Sequence, residues 1–172
     1  MNIYFAGTPN SAAEILKSIA LNDLFSIKGV ITQPDKKGKR GNQQIESPVS
    51  LMAKSLNLQT FKPHNLAKEE IQNDFDITNA DVLVVVAYGN LIPTWILESN
   101  IKAINIHYSL LPSYRGASPI QSSLLNNDKK TGVTFMQMSE DLDAGKVIKC
   151  FEVPIDNNDN KASLEKKLTK LS

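Results

Sequence analysis

One cysteine in the whole chain, Cys150, excludes an internal disulfide. It stands in the apolar-rich run of residues 147–153, where a small buried hydrophobe is the ordinary expectation. Histidine is almost as scarce. His64 and His107 are the only two, and His64 lies in a proline-flanked stretch that reads as surface, so no metal site is expected. No run approaches the roughly 20 apolar residues of a membrane span. The N-terminus, Met1-Asn2-Ile3-Tyr4-Phe5-Ala6, has no basic region ahead of its apolar stretch, which argues against a secretory leader. A cytoplasmic protein without membrane attachment is expected. Excess charge is also missing: 19 basic against 18 acidic side chains leave a net +1, so a nucleic acid would have to be met by a local patch. What remains, 41% apolar and 22% charged residues over 172 positions, suits one globular domain, expected as a monomer.

Apolar runs alternate with helical stretches along the chain. Residues 3–6 form a short strand pattern closed by Gly7-Thr8-Pro9, and Ser11-Ala12-Ala13-Glu14 reads as a capping box opening a helix toward Leu21. Residues 27–32 give a second strand, followed by a polar stretch at 33–46 that reads as a long basic loop. Ser47-Pro48 has the pairing that starts a helix, running to about Leu56. Residues 81–87 are the most hydrophobic run, rich in branched side chains as a strand covered on both faces requires, and a central parallel strand is predicted there. A short helix after Pro93, a strand at 103–107, a helix from Ser118-Pro119 through Leu125 and strands at 133–138 and 147–153 follow. The last segment, 160–171, carries Leu164, Leu168 and Leu171 as a helical stripe that needs a surface to cover. The predicted class is therefore α/β, a doubly wound, mostly parallel sheet.

Open parallel sheets bind ligands beyond the carboxyl ends of their strands. Asn105 and His107 end one such strand, and side chains two apart share a face, so a carboxamide and an imidazole project into one space. That pair suits attack on a carbonyl, since an amide N–H and a protonated imidazole both stabilise an oxyanion. A third group that would orient the ring is Asp143, after the strand at 133–138 and two residues before Gly145. Spacing alone leaves open that Asn105 and His107 are polar strand-end residues and Asp143 a turn former.

The run Asn105-Ile106-His107-x-Ser109-Leu110-Leu111-Pro112-x-x-Arg115-Gly116, with Asp143-x-Gly145 further on, resembles the signature of the folate-dependent formyltransferases. Within that group, Phe5-Ala6-Gly7-Thr8-Pro9, Thr32-Gln33-Pro34-Asp35, Arg40-Gly41, Ser47-Pro48-Val49 and Arg115-Gly116-Ala117-x-Pro119-Ile120-Gln121 look like the methionyl-tRNA formyltransferases. The resemblance implies a Rossmann-like catalytic domain over residues 1–172, with Asn105, His107 and Asp143 catalytic. The co-substrate it implies is 10-formyltetrahydrofolate, and the acceptor the α-amino group of initiator methionyl-tRNA in translation initiation. It further implies a reduced folate against Ala87, Tyr88, Gly89, Asn90, Leu91 and Ile92 and against Ser109, Leu110, Leu111 and Pro112. Lys36, Lys37, Lys39 and Arg40 would meet tRNA phosphates, which cationic side chains on a loop suit. The β-barrel domain that helps those enzymes hold tRNA is absent from this chain.

Other readings share parts of this pattern. A formyltransferase acting on an amino sugar or on glycinamide ribonucleotide would keep the same Asn, His and Asp. A doubly wound nucleotide-binding domain is disfavoured because Gly7-Thr8-Pro9 lacks the G-x-G-x-x-G spacing. A noncatalytic folate- or RNA-binding remnant would keep the basic loop and bind folate without transfer.

Overall fold

The computed structural model describes residues 1–38, 44–66 and 80–172. The chain forms two compact units, residues 1–103 and 104–172.

The first unit runs β1 (Asn2–Gly7), α1 (Asn10–Ala20), β2 (Ser26–Ile31), β3 (Lys36–Lys37), β4 (Gln44–Ile45), α2 (Pro48–Ser55), β5 (Thr60–Phe61), β6 (Val82–Val86) and α3 (Thr94–Leu97). Its main sheet is parallel. β1 lies between β2 and β6, with Phe5 opposite Val30 on one side and Val84 on the other, and β5 extends the sheet beyond β2. Because β1 and β6 are covered on both faces, their residues read as unbroken apolar runs; Phe5, Ala6, Leu83 and Val86 are at most 1% exposed. The hydroxyl of Ser47 accepts the Ser50 amide as the cap of α2, with Pro48 in the first turn, as the sequence predicts.

Two expectations for this unit are corrected. The capping box at Ser11 does not form: α1 starts earlier, at Asn10 behind Pro9, without a side-chain cap, and Ser11 is buried. The stretch at 33–46 is not wholly a loop, since Lys36 and Lys37 pair antiparallel with Ile45 and Gln44.

The second unit takes in most of β7 (Lys102–His107), then α4 (Pro119–Leu125), β8 (Lys130–Gln137), β9 (Val147–Pro154) and α5 (Lys161–Leu171). Here the strands are antiparallel, His107 facing Thr134 and Thr134 facing Cys150. The β8–β9 connection is too short for the crossover that parallel neighbours need, roughly a dozen residues or more. Cys150 is half-buried, not a core hydrophobe, and its thiol contacts the Thr134 hydroxyl at 3.3 Å. Leu164 and Leu168 of α5 are fully buried, so the predicted stripe has its surface. Among the described residues no helix is long and apolar enough to cross a membrane.

Candidate active site

The predicted catalytic residues meet within the second unit. β7 is an extended strand, so Asn105 and His107 share one of its faces while Ile106 and Tyr108 take the other. Tyr108 fits this alternation: its hydroxyl lies 3.0 Å from Thr169 Oγ1 on α5. The turn after β8 brings Asp143 to the face of Asn105 and His107.

The Asp143 carboxylate is the hub. Asn105 Nδ2 donates to Oδ1 at 3.1 Å, the Gly116 amide donates to Oδ2 at 2.7 Å, and His107 Nδ1 stands 3.6 Å from Oδ2. The His107 and Asp143 side chains are only 7% and 9% exposed, which strengthens electrostatic contacts relative to a surface pair. His107 Nε2 lies 2.9 Å from the carbonyl oxygen of Tyr114, which can only accept, so this nitrogen carries its hydrogen. Nδ1, beyond hydrogen-bond length from Oδ2, is the more loosely held ring position, and an ion pair exists there only when the ring is protonated.

Local backbone explains how Asp143 is presented. It sits in the left-handed region at φ 48°, an uncommon conformation that aspartate tolerates better than most residues. Gly145 follows where the Gln137 carbonyl oxygen would be 1.8 Å from any Cβ. Gly116, at φ 95°, turns its amide toward Asp143.

The segment after β7 is tied down from beneath. Ser109 is fully buried and its hydroxyl donates to the Ser113 carbonyl at 2.6 Å. The Thr134 hydroxyl donates to the Ser109 carbonyl at 2.7 Å and accepts the Leu111 amide at 3.1 Å. Leu110 and Leu111 are half-buried, and Pro112, joined to Leu111 by a cis bond, is exposed. In the first unit, the exit of β6 turns through Ala87 at φ 45° and Gly89 at φ 90°. Tyr88 and Ile92 are buried there, Leu91 is 80% exposed, and Asn90 accepts from Gln33 Nε2 at 3.3 Å.

Lys36 and Lys37 are exposed on β3, whereas Lys39 and Arg40 lie outside the described residues. The flanks of this stretch are anchored by Lys62, which donates to Asp35 Oδ1 at 2.7 Å and to Glu46 Oε2 at 3.1 Å. Hydrogen bonds from Lys54, Ser50 and Lys62 pull the Glu46 carboxyl down to about 2. Lys62 itself is raised: partial burial works against its charge, but the bonds to Asp35 and Glu46 outweigh it.

Two backbone groups also belong to the hub. The Gly116 amide falls within the Arg115-Gly116 motif and was findable there. The Tyr114 carbonyl had no signal, because a backbone acceptor leaves no mark on residue type.

The family model for formyl transferases matches residues 1–172. Among solved structures, the phosphoribosylglycinamide formyltransferase of Bacillus halodurans superposes with a TM-score of 0.76 at 24% identity, covering 99% of this chain and 88% of that one. That of Anaplasma phagocytophilum gives 0.74 at 23%, covering 98% and 78%. WlaRD, a sugar 3N-formyl transferase solved in the presence of dTDP and 5-N-formyl-THF, gives 0.73 at 26%, covering 99% of this chain and 58% of that one. The fold is thus the α/β, mostly parallel, Rossmann-like one of these enzymes. With every described residue of its hub inside the matched range, the chain belongs to the formyl transferase family, whose formyl donor is 10-formyltetrahydrofolate.

Proposed function

We propose that this chain transfers a formyl group from 10-formyltetrahydrofolate to a primary amine, with Asn105, His107 and Asp143 as its catalytic residues. The observation that carries the reading is the Asp143 carboxylate holding the Asn105 amide at 3.1 Å with the His107 ring 3.6 Å away. An amide carries two N–H donors, so one holds Asp143 and the other remains for a substrate oxygen. The loosely held Nδ1 of His107 is the ring position that shares a proton with substrate or a bridging water, while the Tyr114 carbonyl fixes the tautomer. The acceptor nitrogen forms its bond to the formyl carbon, the bond from that carbon to the folate nitrogen breaks, and the amine proton ends on the folate nitrogen. The developing oxyanion is met by Asn105 and His107. No side-chain nucleophile is required, and the buried Ser109 hydroxyl is already committed to Ser113. Family resemblance supports residues 109–112, in the same unit as the hub, as folate-binding, and within the first unit it supports residues 87–92 in that role.

For the acceptor, the solved relatives favour a small amine, glycinamide ribonucleotide or an amino sugar, since those are the substrates their names carry. Methionyl-tRNA is the second reading. Its support is the motif set at residues 5–9, 32–35 and 115–121 and the exposed Lys36 and Lys37.

His107→Ala or Asp143→Asn is expected to lower turnover by about 100-fold or more with the circular-dichroism spectrum and melting temperature kept. A near-normal rate for either removes the assignment. The wild-type chain, assayed with 10-formyltetrahydrofolate and each of the three acceptors in parallel, decides among them; folate binding with no transfer to any amine would mark a noncatalytic remnant.

A further inference from the structure

The His107 ring is braced by a residue that needs bracing itself. Tyr114 has φ 56°, a left-handed conformation that is unfavourable for a residue with a Cβ and persists only where surrounding contacts impose it. Among the described residues two hydrogen bonds reach its phenol oxygen. The phenol donates to Asp128 Oδ2 at 2.7 Å and accepts from Asn126 Nδ2 at 3.1 Å. A hydroxyl-to-carboxylate bond of this length belongs to the stronger, charge-assisted class.

Those partners are fixed in turn. Asn126 ends α4 with its amide on the Ser122 carbonyl, and the Asp128 amide donates to the Ser123 carbonyl at 3.1 Å. The phenol therefore moors the loop after β7 to the end of α4. Two residues of that loop reach the histidine–aspartate pair, Tyr114 through its carbonyl at His107 Nε2 and Gly116 through its amide at Asp143 Oδ2.

We propose that Tyr114 is a positioning residue: its phenol, moored to Asp128 and Asn126, holds the backbone carbonyl where it fixes the orientation and tautomer of the His107 ring. The inference rests on the catalytic role given to His107 above. Its mooring consists of side-chain groups on one loop and one helix end, so it can be cut without touching His107, Asn105 or Asp143.

The test is Tyr114→Phe in the full chain, which removes the oxygen and keeps the ring. Turnover is measured with 10-formyltetrahydrofolate and the acceptor that the wild-type chain uses. In parallel, the ring nitrogens are followed by 15N NMR, with His64, the only other histidine and an exposed one, as internal reference. The expected result is kcat about tenfold lower with folate KM within about twofold, and faster exchange of the His107 Nε2 hydrogen with His64 unmoved. Should Tyr114→Phe fail to fold, Asp128→Asn is read the same way. Unchanged kcat with an unchanged His107 signal overturns the proposal, as does a fall in kcat with that signal intact, which would locate the defect elsewhere. The spectrum also decides alone if no acceptor is turned over. His107→Ala is run beside these: a normal rate there defeats the catalytic reading, while the exchange of the ring hydrogen still reports on the mooring.

Discussion

Gly145 and Gly116 lie close to the same carboxylate for different physical reasons, and the difference is measurable. At Gly145 a Cβ would stand 1.8 Å from the Gln137 carbonyl oxygen, a backbone atom that cannot swing aside. At Gly116 the nearest atom to a Cβ is Leu142 Cδ2 at 3.9 Å, so space is free and only the φ of 95° opposes a side chain. Gly145→Ala is expected to displace the turn carrying Asp143, costing at least about 2 kcal/mol of stability, with turnover down by orders of magnitude. Gly116→Ala should cost about 1–3 kcal/mol from backbone strain and leave the Asp143 turn in place. Urea unfolding and formyl-transfer rates on both variants check this; equal rates would mean the Gln137 contact does not hold the turn. These residues also show how the site could be read from sequence. The shared face of Asn105 and His107 is legible in strand periodicity, which puts positions two apart together, whereas spacing alone reads Asp143 equally as a turn former and its place beside them comes from the family resemblance. The Tyr114 carbonyl is not legible, since what it contributes depends on φ at one position and on a hydroxyl contact 14 residues away.

Between the elements, patterns with a long period were read well and short ones poorly. The leucine stripe of α5 predicted its buried face, and the unbroken valine run predicted β6 as a parallel strand. Capping is decided by single residues and was harder. The box read at Ser11 gave way because Pro9 starts α1 ahead of it, whereas a box does form at Asn160 and Ser163 on α5. β5 has only two residues, too few for any period to show, and strand direction for β8 and β9 follows from pairing, which composition does not encode. On α5 the two kinds of information can be weighed against each other. Asn160→Ala removes the acceptor for the Ala162 and Ser163 amides and should cost about 1 kcal/mol. Leu168→Ala empties a fully buried site and should cost about 2–5 kcal/mol. Denaturant unfolding of both is expected to preserve that order, and its reversal would mean α5 is held by its cap and not by its stripe.

At neutral pH the charges of the whole molecule nearly cancel, so the specific engagement of carboxylates matters to how stability begins to fall as acid is added. Among the described residues two are held far below their ordinary range, one in each unit. Glu46 is brought from 4.5 to about 2 by Lys54, Ser50 and Lys62, and Asp159 from 3.8 to about 2 by Lys167, Ser163 and the Asp156 amide. In both cases the unfolded chain binds a proton more readily than the folded one between those values. The stabilisation is therefore complete above the unfolded value and drains away as pH falls through about 2. Glu46→Gln and Asp159→Asn should each lower stability at neutral pH and flatten its decline over the pH window from 4.5 to 2. The two groups share no partner, since Glu46 bonds Lys54, Ser50 and Lys62 while Asp159 bonds Lys167, Ser163 and Asp156. Their effects on the slope should add in the double variant. Urea unfolding measured at steps across that window reads the slope directly; a double variant with the wild-type slope would mean that these ion pairs persist in the unfolded chain or contribute nothing to the folded one.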